Sequence, residues 1–130
     1  MANFVEELRS MILADSAIAA VISDRLYQIS LPQNATYPAC AYTVGLNEFY
    51  EGHGGKLNLA KALITLGCAG NTYADVLSLA NAVKDLLHNF NGIIGGITVQ
   101  DITYQDSRQT RDEELDICII EMDFLAHIEP

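Results

Sequence analysis

The stretch TYADVLSLANAVKDLLHNF, residues 72–90, sets the period on which the fold is read. Its apolar residues Tyr73, Val76, Leu77, Ala80, Val83, Leu87 and Phe90 recur at steps of three and four, the spacing of one helix face. Asp75, Ser78, Asn81, Lys84 and His88 fall mainly on the other faces. Thr72 suits an N-cap, and Asp75 three places on places negative charge at the positive end of the helix dipole. Asn91-Gly92 supplies a stop, since glycine tolerates the left-handed backbone of a C-terminal cap. No acid–base pair marks the helix as catalytic. It is a packing element, and β segments flank it.

Upstream, Cys40, Tyr42, Val44 and Leu46 alternate with Ala39, Ala41, Thr43 and Gly45, a period of two that predicts a strand opened by Pro38. Residues 57–69 predict a second strand, with Ala62, Ile64, Leu66 and Cys68 on one face. The polar, glycine-rich residues 47–56 join the two as a hairpin. Downstream, residues 92–96 read as a glycine-rich link and residues 97–104 as a third strand. Residues 105–114 read as a charged turn and residues 115–128 as the last strand. That strand carries Cys118, Ile120, Met122 and Phe124 on one face and Leu115, Ile117 and Ile119 on the other, followed there by Glu121 and Asp123. A strand apolar on both faces is buried on both, so the N-terminal helices or a second subunit should cover the second face.

At the N-terminus, Phe4, Val5, Leu8, Met11 and Ile12 form a helical stripe. Asp15 or Ser16 caps a second short helix over residues 17–22, and residues 25–33 read as an extended connection. The expected fold is one α+β domain over residues 1–130: a four-stranded, mostly antiparallel sheet, one long packed helix and N-terminal helices.

The net charge of −10 argues against a binder of phosphate backbones, because the seven basic residues are scattered. Nine of the seventeen acids lie from residue 101 onward, an acidity that more often serves solubility than function, the alternative being a surface that must not stick to nucleic acid. No apolar run approaches a membrane span, and the start lacks the basic region of a secretory signal. Cys40, Cys68 and Cys118 sit in apolar segments and read as buried free thiols of a reducing compartment.

Catalytic and cofactor signals are weak. The loop Glu51-Gly52-His53-Gly54-Gly55 offers amides to a phosphate, but it lacks the Lys-Ser/Thr ending of a P-loop and opens no helix. The three cysteines and His53, His88 and His127 lack the short spacings of a zinc site. Asp112, Glu113, Glu114 and Asp116 beside Arg108 and Arg111 read as a solvated turn. No enzyme activity, cofactor or metal is expected. Phe49 and Tyr50, with Gly52, His53, Gly54, Gly55 and Lys56, form a candidate contact loop: glycines for adaptability, aromatics for anchorage. Leu115, Ile117 and Ile119 form a candidate contact between subunits.

The ordered set Leu13-Ala14-Asp15-Ser16-Ala17-Ile18, Asp24-Arg25-Leu26-Tyr27, Leu31-Pro32-Gln33 and Tyr37-Pro38-Ala39-Cys40-Ala41-Tyr42 resembles the tail completion (tail terminator) family of siphophages and prophages. Leu66-Gly67-Cys68-Ala69, the helix with Ala74-Asp75 and Val83-Lys84-Asp85-Leu86-Leu87, and the closing residues 116–124 fit the same family. The resemblance spans nearly the whole chain. It implies a structural virion protein, a hexameric ring that caps the head-proximal end of the tail tube and ends its polymerisation. The implied partners are further copies of itself, the major tail tube protein and a head completion or neck protein. DNA would pass through the lumen without specific binding, no membrane would be involved, and assembly would occur in the host cytoplasm. Because Phe49 and Tyr50 have no obvious core role beside flexible glycines, the loop over residues 47–56 is expected to be the part that touches the tail tube, the alternative being a solvated hairpin tip whose aromatics fold back on the sheet. The alternatives are a head–tail connector of the neck, a small-molecule-binding α+β module with a polar-lined pocket, and, last, a small Cys or His hydrolase.

Overall fold

The computed structural model describes residues 2–32, 34–46, 51–52, 55–56 and 60–129. Helix α1 (Ala2–Ala14) and helix α2 (Ser16–Ile22) are followed by strands β1 (Leu26–Gln28) and β2 (Ala39–Leu46). A small ladder, β3 (Glu51–Gly52) with β4 (Gly55–Lys56), precedes β5 (Ala60–Gly70) and helix α3 (Tyr73–Leu87). The chain closes with β6 (Gly92–Ile94), β7 (Ile97–Asp112) and β8 (Ile117–Glu129).

The main sheet has six strands in the order β1-β2-β5-β8-β7-β6, not the expected four. Only β1 runs parallel to its neighbour; the other pairings are antiparallel. The two additional strands, β1 and β6, are three residues each, too short to show a period. The glycine link at residues 92–96 is the first arm and turn of a β6–β7 hairpin, with Gly95 and Gly96 both at positive φ. The charged turn expected over residues 105–114 is a strand as far as Asp112, and the turn shrinks to the residues before Ile117.

Helix α3 begins as its sequence dictates, with Thr72 Oγ1 accepting from the Asp75 amide at 3.3 Å. It ends earlier than Gly92, at His88, and Asn89 rather than glycine takes the left-handed conformation at φ 67°. Its buried row is Val76, Leu79, Ala80, Val83 and Leu87. This rotates the stripe off Tyr73 and Leu77, which are 46% and 37% exposed. In α1 the buried residues are Phe4, Leu8 and Ile12, with Val5 and Met11 at the flanks. Asp15 caps α2, its carboxylate accepting from the amides of Ala17 and Ile18 at 3.0 and 3.2 Å.

All three helices contribute to one core with one face of the sheet. Cys40 and Tyr42 of β2, Ala62 to Cys68 by alternate residues of β5, and Ile120 to Ile128 by alternate residues of β8 point into it. The β2–β5 register pairs Cys40 with Cys68, leaving their sulfurs 3.4 Å apart and both buried. The hydrogen bond to Cys68, reinforced by burial, pushes the Cys40 thiol well above the ordinary range. Cys118 is only half-buried, so the third thiol departs from the expected burial. Native protein should therefore label slowly at Cys40 and Cys68 and faster at Cys118, with all three fast in denaturant. Mass spectrometry of a timed maleimide reaction reads this. Rapid native labelling at Cys40 would contradict the packing of β2 on β5.

Candidate assembly surface

A sheet with helices on one side leaves its other side to water or to partners, and side chains on that second side alternate with the core residues. Across the register this second face reads Thr43, Thr65 and Asp123 in one row, and Ala41, Gly67, Glu121 and Arg108 in the next. Leu63, Leu125 and Thr103 line up on the side toward β4, and Ala69, Ile119 and Thr110 toward the β7–β8 turn. The last strand is thus not apolar throughout its second face. Polar residues occupy its middle.

Arg108 sits at the centre of that polar patch. Its guanidinium donates to Glu121 Oε1 from Nη2 at 2.6 Å and from Nε at 3.1 Å. It also donates to both carboxylate oxygens of Asp123, at 2.9 and 3.2 Å, a two-pronged contact that fixes orientation. Asp106 lies 3.8 Å away, and Thr65 Oγ1 donates to Asp123 Oδ1 at 3.0 Å. The bonds from Arg108 hold the Asp123 carboxyl below the usual carboxylate range against partial burial, with Thr65 assisting. The same carboxylates push the Arg108 guanidinium further up. Three strands, β5, β8 and β7, are tied together by these side chains.

The sign of the pH effect follows from the depressed value. Asp123 adds stability above its unfolded pKa of about 4, and that contribution is lost as pH falls through the lower folded-state value. An NMR titration should find Asp123 below the usual aspartate range, and Arg108→Ala should move it upward. An unmoved midpoint would mean that Arg108 does not hold the carboxylate in solution.

Beside the cluster, a pocket of about 100 Å³ is lined by Ile29, Ala41, Tyr42, Thr43, Thr65, Gly67 and Glu121. At its edge Ile29 adopts φ 76° with its side chain 74% exposed, while its amide donates to the Tyr42 carbonyl at 2.8 Å. A β-branched residue in the left-handed region costs about 1–3 kcal/mol, so the surrounding hydrogen bonds over-determine this bend. Further along the face, His127 Nδ1 lies 2.6 Å from Asp101 Oδ1.

The sequence-derived contact residues do not meet in one place. Phe49, Tyr50, His53 and Gly54 lie outside the described residues. Gly52, Gly55 and Lys56 belong to the β3–β4 ladder, in which Gly52 pairs with Gly55 and Glu51 with Lys56. That ladder leaves the end of the sheet where Leu46 and Ala60 stand. Leu115, 56% exposed, occupies the β7–β8 turn at the opposite end, since Ile117 pairs with Asp112 there. Ile117 is 2% exposed within the single chain, and Ile119 is half-buried on the second face. The Arg108 cluster was hidden because a charged run reads as a turn. The retrievable signal was the period of two in Asp106, Arg108 and Thr110, matched by Glu121 and Asp123.

Among the described residues, no three His, Cys, Asp or Glu side chains gather as a metal site, and no helix is long and apolar enough to cross a membrane. A family model described as "Tail completion protein gp17" matches residues 6–129. A chain from the structure titled "Virion of native gene transfer agent (GTA) particle" is similar in fold, with a TM-score of 0.71, 17% identity and 100% of both chains covered. Comparison with curated proteins finds no match.

Proposed function

The chain belongs to the tail completion protein gp17 family, a family of structural phage tail proteins, and from that premise we propose that it works as a ring. Six copies sit at the head-proximal end of the tail tube, stop its polymerisation and form the joint to a head completion or neck protein. The observation that carries the ring is the second sheet face. Ile119, Leu125 and Leu63 are left half-buried or exposed around an ordered polar centre. A heterologous contact using this face closes into a ring when the rotation between neighbours closes. The acid-rich chain favours a lumen that passes DNA without retaining it. The tail tube and the neck protein are its partners, and assembly takes place in the host cytoplasm.

Ile119→Asp tests the role of the face. It places a charge beside Ala69, which is 1% exposed and pairs with residue 119. Buried at a subunit contact, an unpaired charge costs several kcal/mol. The expected variant is folded by circular dichroism and strictly monomeric by light scattering, where the parent is a hexamer or associates reversibly. A variant that forms the parent's assembly would remove this face from the contact.

A further inference from the structure

Strand β7 carries a second, separate surface along its outer edge. Strand β6 covers only residues 97–99 of β7. Beyond them the end of α3 takes over: the Ile102 carbonyl accepts from the Asn89 amide at 2.8 Å, and the Tyr104 amide donates to His88 Nδ1 at 3.1 Å. A register shift at Gln105 then advances the alternation by one residue. From there the outward-facing backbone groups belong to Ser107, Gln109 and Arg111. The Ser107 amide turns to the Asp106 carboxylate at 2.8 Å, in keeping with that assignment. Among the described residues, nothing pairs with the outward groups of Gln109 and Arg111.

The other border of the sheet is treated differently. Strand β1 is three residues long, and the Arg9 guanidinium donates to the carbonyls of Leu26 and Asp24 on its outer side, at 3.1 and 3.3 Å. Exposed edges are usually blunted in this way, so a longer edge left bare invites an added strand. A capped β1 offers no matching edge for a second copy, and pairing β7 with a second copy's β7 would set the same acid-rich segment against itself, so a different protein is favoured as the guest. Tyr73 and Leu77 of α3 provide an apolar ledge beside the bare edge, and the Gln109 amide nitrogen donates to the Tyr73 hydroxyl at 3.1 Å. The charge is negative: residues 105–116 hold five acids against two arginines. Arg108 is engaged by Glu121 and Asp123, and Arg111 by Asp116.

We propose that the edge of β7 over residues 107–111 takes an extended strand of a partner protein, with lysine or arginine on one face and apolar residues on the other. The guest's backbone completes the hydrogen bonds of Gln109 and Arg111. Its apolar side chains lie on Tyr73 and Leu77, and its cations meet Glu113 and Glu114, both exposed. This docking is independent of the ring contact on the second sheet face.

The probe is a short capped peptide alternating lysine and valine, titrated into the full chain while amide exchange is followed by NMR. The expected result is saturable binding at millimolar concentration or below, with slowed exchange at Gln109 and Arg111. Gln109→Pro removes one outward amide, a change an edge strand tolerates, and should weaken binding roughly tenfold or more. Glu113→Lys with Glu114→Lys leaves the backbone intact and should weaken binding at low salt, with the difference shrinking as salt is added. Absence of binding, or binding without protection at those two amides, would overturn the proposal. Protection that appears without peptide and rises with protein concentration would assign the edge to a second copy and overturn it equally. A charge-reversed variant that binds as well as the parent would remove the acidic recognition.

Discussion

Phe124→Ala is expected to cost about 3–5 kcal/mol, the range for truncating a buried aromatic. Phe124 is 0% exposed on β8, between Ile64 of β5 and Tyr104 of β7. Its ring centroid lies 5.7 Å from that of Tyr104 at a tilt of 58°, and Lys84 Nζ stands 4.3 Å from the centre of the Tyr104 ring. The residue therefore joins three strands and reaches α3 through one neighbour. Truncation leaves a cavity that two paired strands and a packed helix cannot collapse to fill. For a domain of this size the loss should lower the melting temperature by roughly 10–20 °C. Thermal unfolding followed by circular dichroism reads it. A fall of only a few degrees would mean that β8 is not the middle of the core.

Replacing residues 49–56 by a two-residue Asn-Gly turn should leave the domain folded and ring-forming while abolishing control of tail length. Strands β2 and β5 pair from Ala39 with Ala69 through Leu46 with Ala62, eight consecutive register positions, so their pairing does not depend on what lies beyond them. Asn-Gly accepts positive φ, and together with residues 57–59 it makes a connection of about five residues, a length hairpins commonly use. The replacement removes Phe49 and Tyr50, the proposed anchors on the tail tube, and the β3–β4 ladder with them. Electron micrographs of tails assembled with the shortened protein should show a broad length distribution in place of a single length. Tails of normal length would place the tube contact elsewhere on the chain.

Long periodic elements were legible in the sequence, and short or doubly exposed ones were not. The helical period over residues 72–90 and the alternation of Ala62, Ile64, Leu66 and Cys68 reflect burial on one side, which leaves a repeating mark. Strands β1 and β6 escape because three residues cannot establish a period, and their places depend on pairing with distant partners. Residues 105–112 escape for another reason. They are mostly exposed, so no apolar alternation distinguishes this strand from a charged turn. Tyr73 and Leu77 fit the helical spacing as well as Leu79 does, and only the packing of α3 against the sheet decides which row is buried. For the site, the separation of Leu115 from Ile119 depends on where β7 turns into β8. That boundary moved once the charged run became strand.

The proposed ring at the head-proximal end of the tail is tested most directly by electron microscopy of particles made with and without this chain. An antibody or tag on the protein should mark the junction of tail and head, and tails formed without the chain should be overlong and headless. Label at the distal tip, or tails of normal length joined to heads in its absence, would contradict the proposed role.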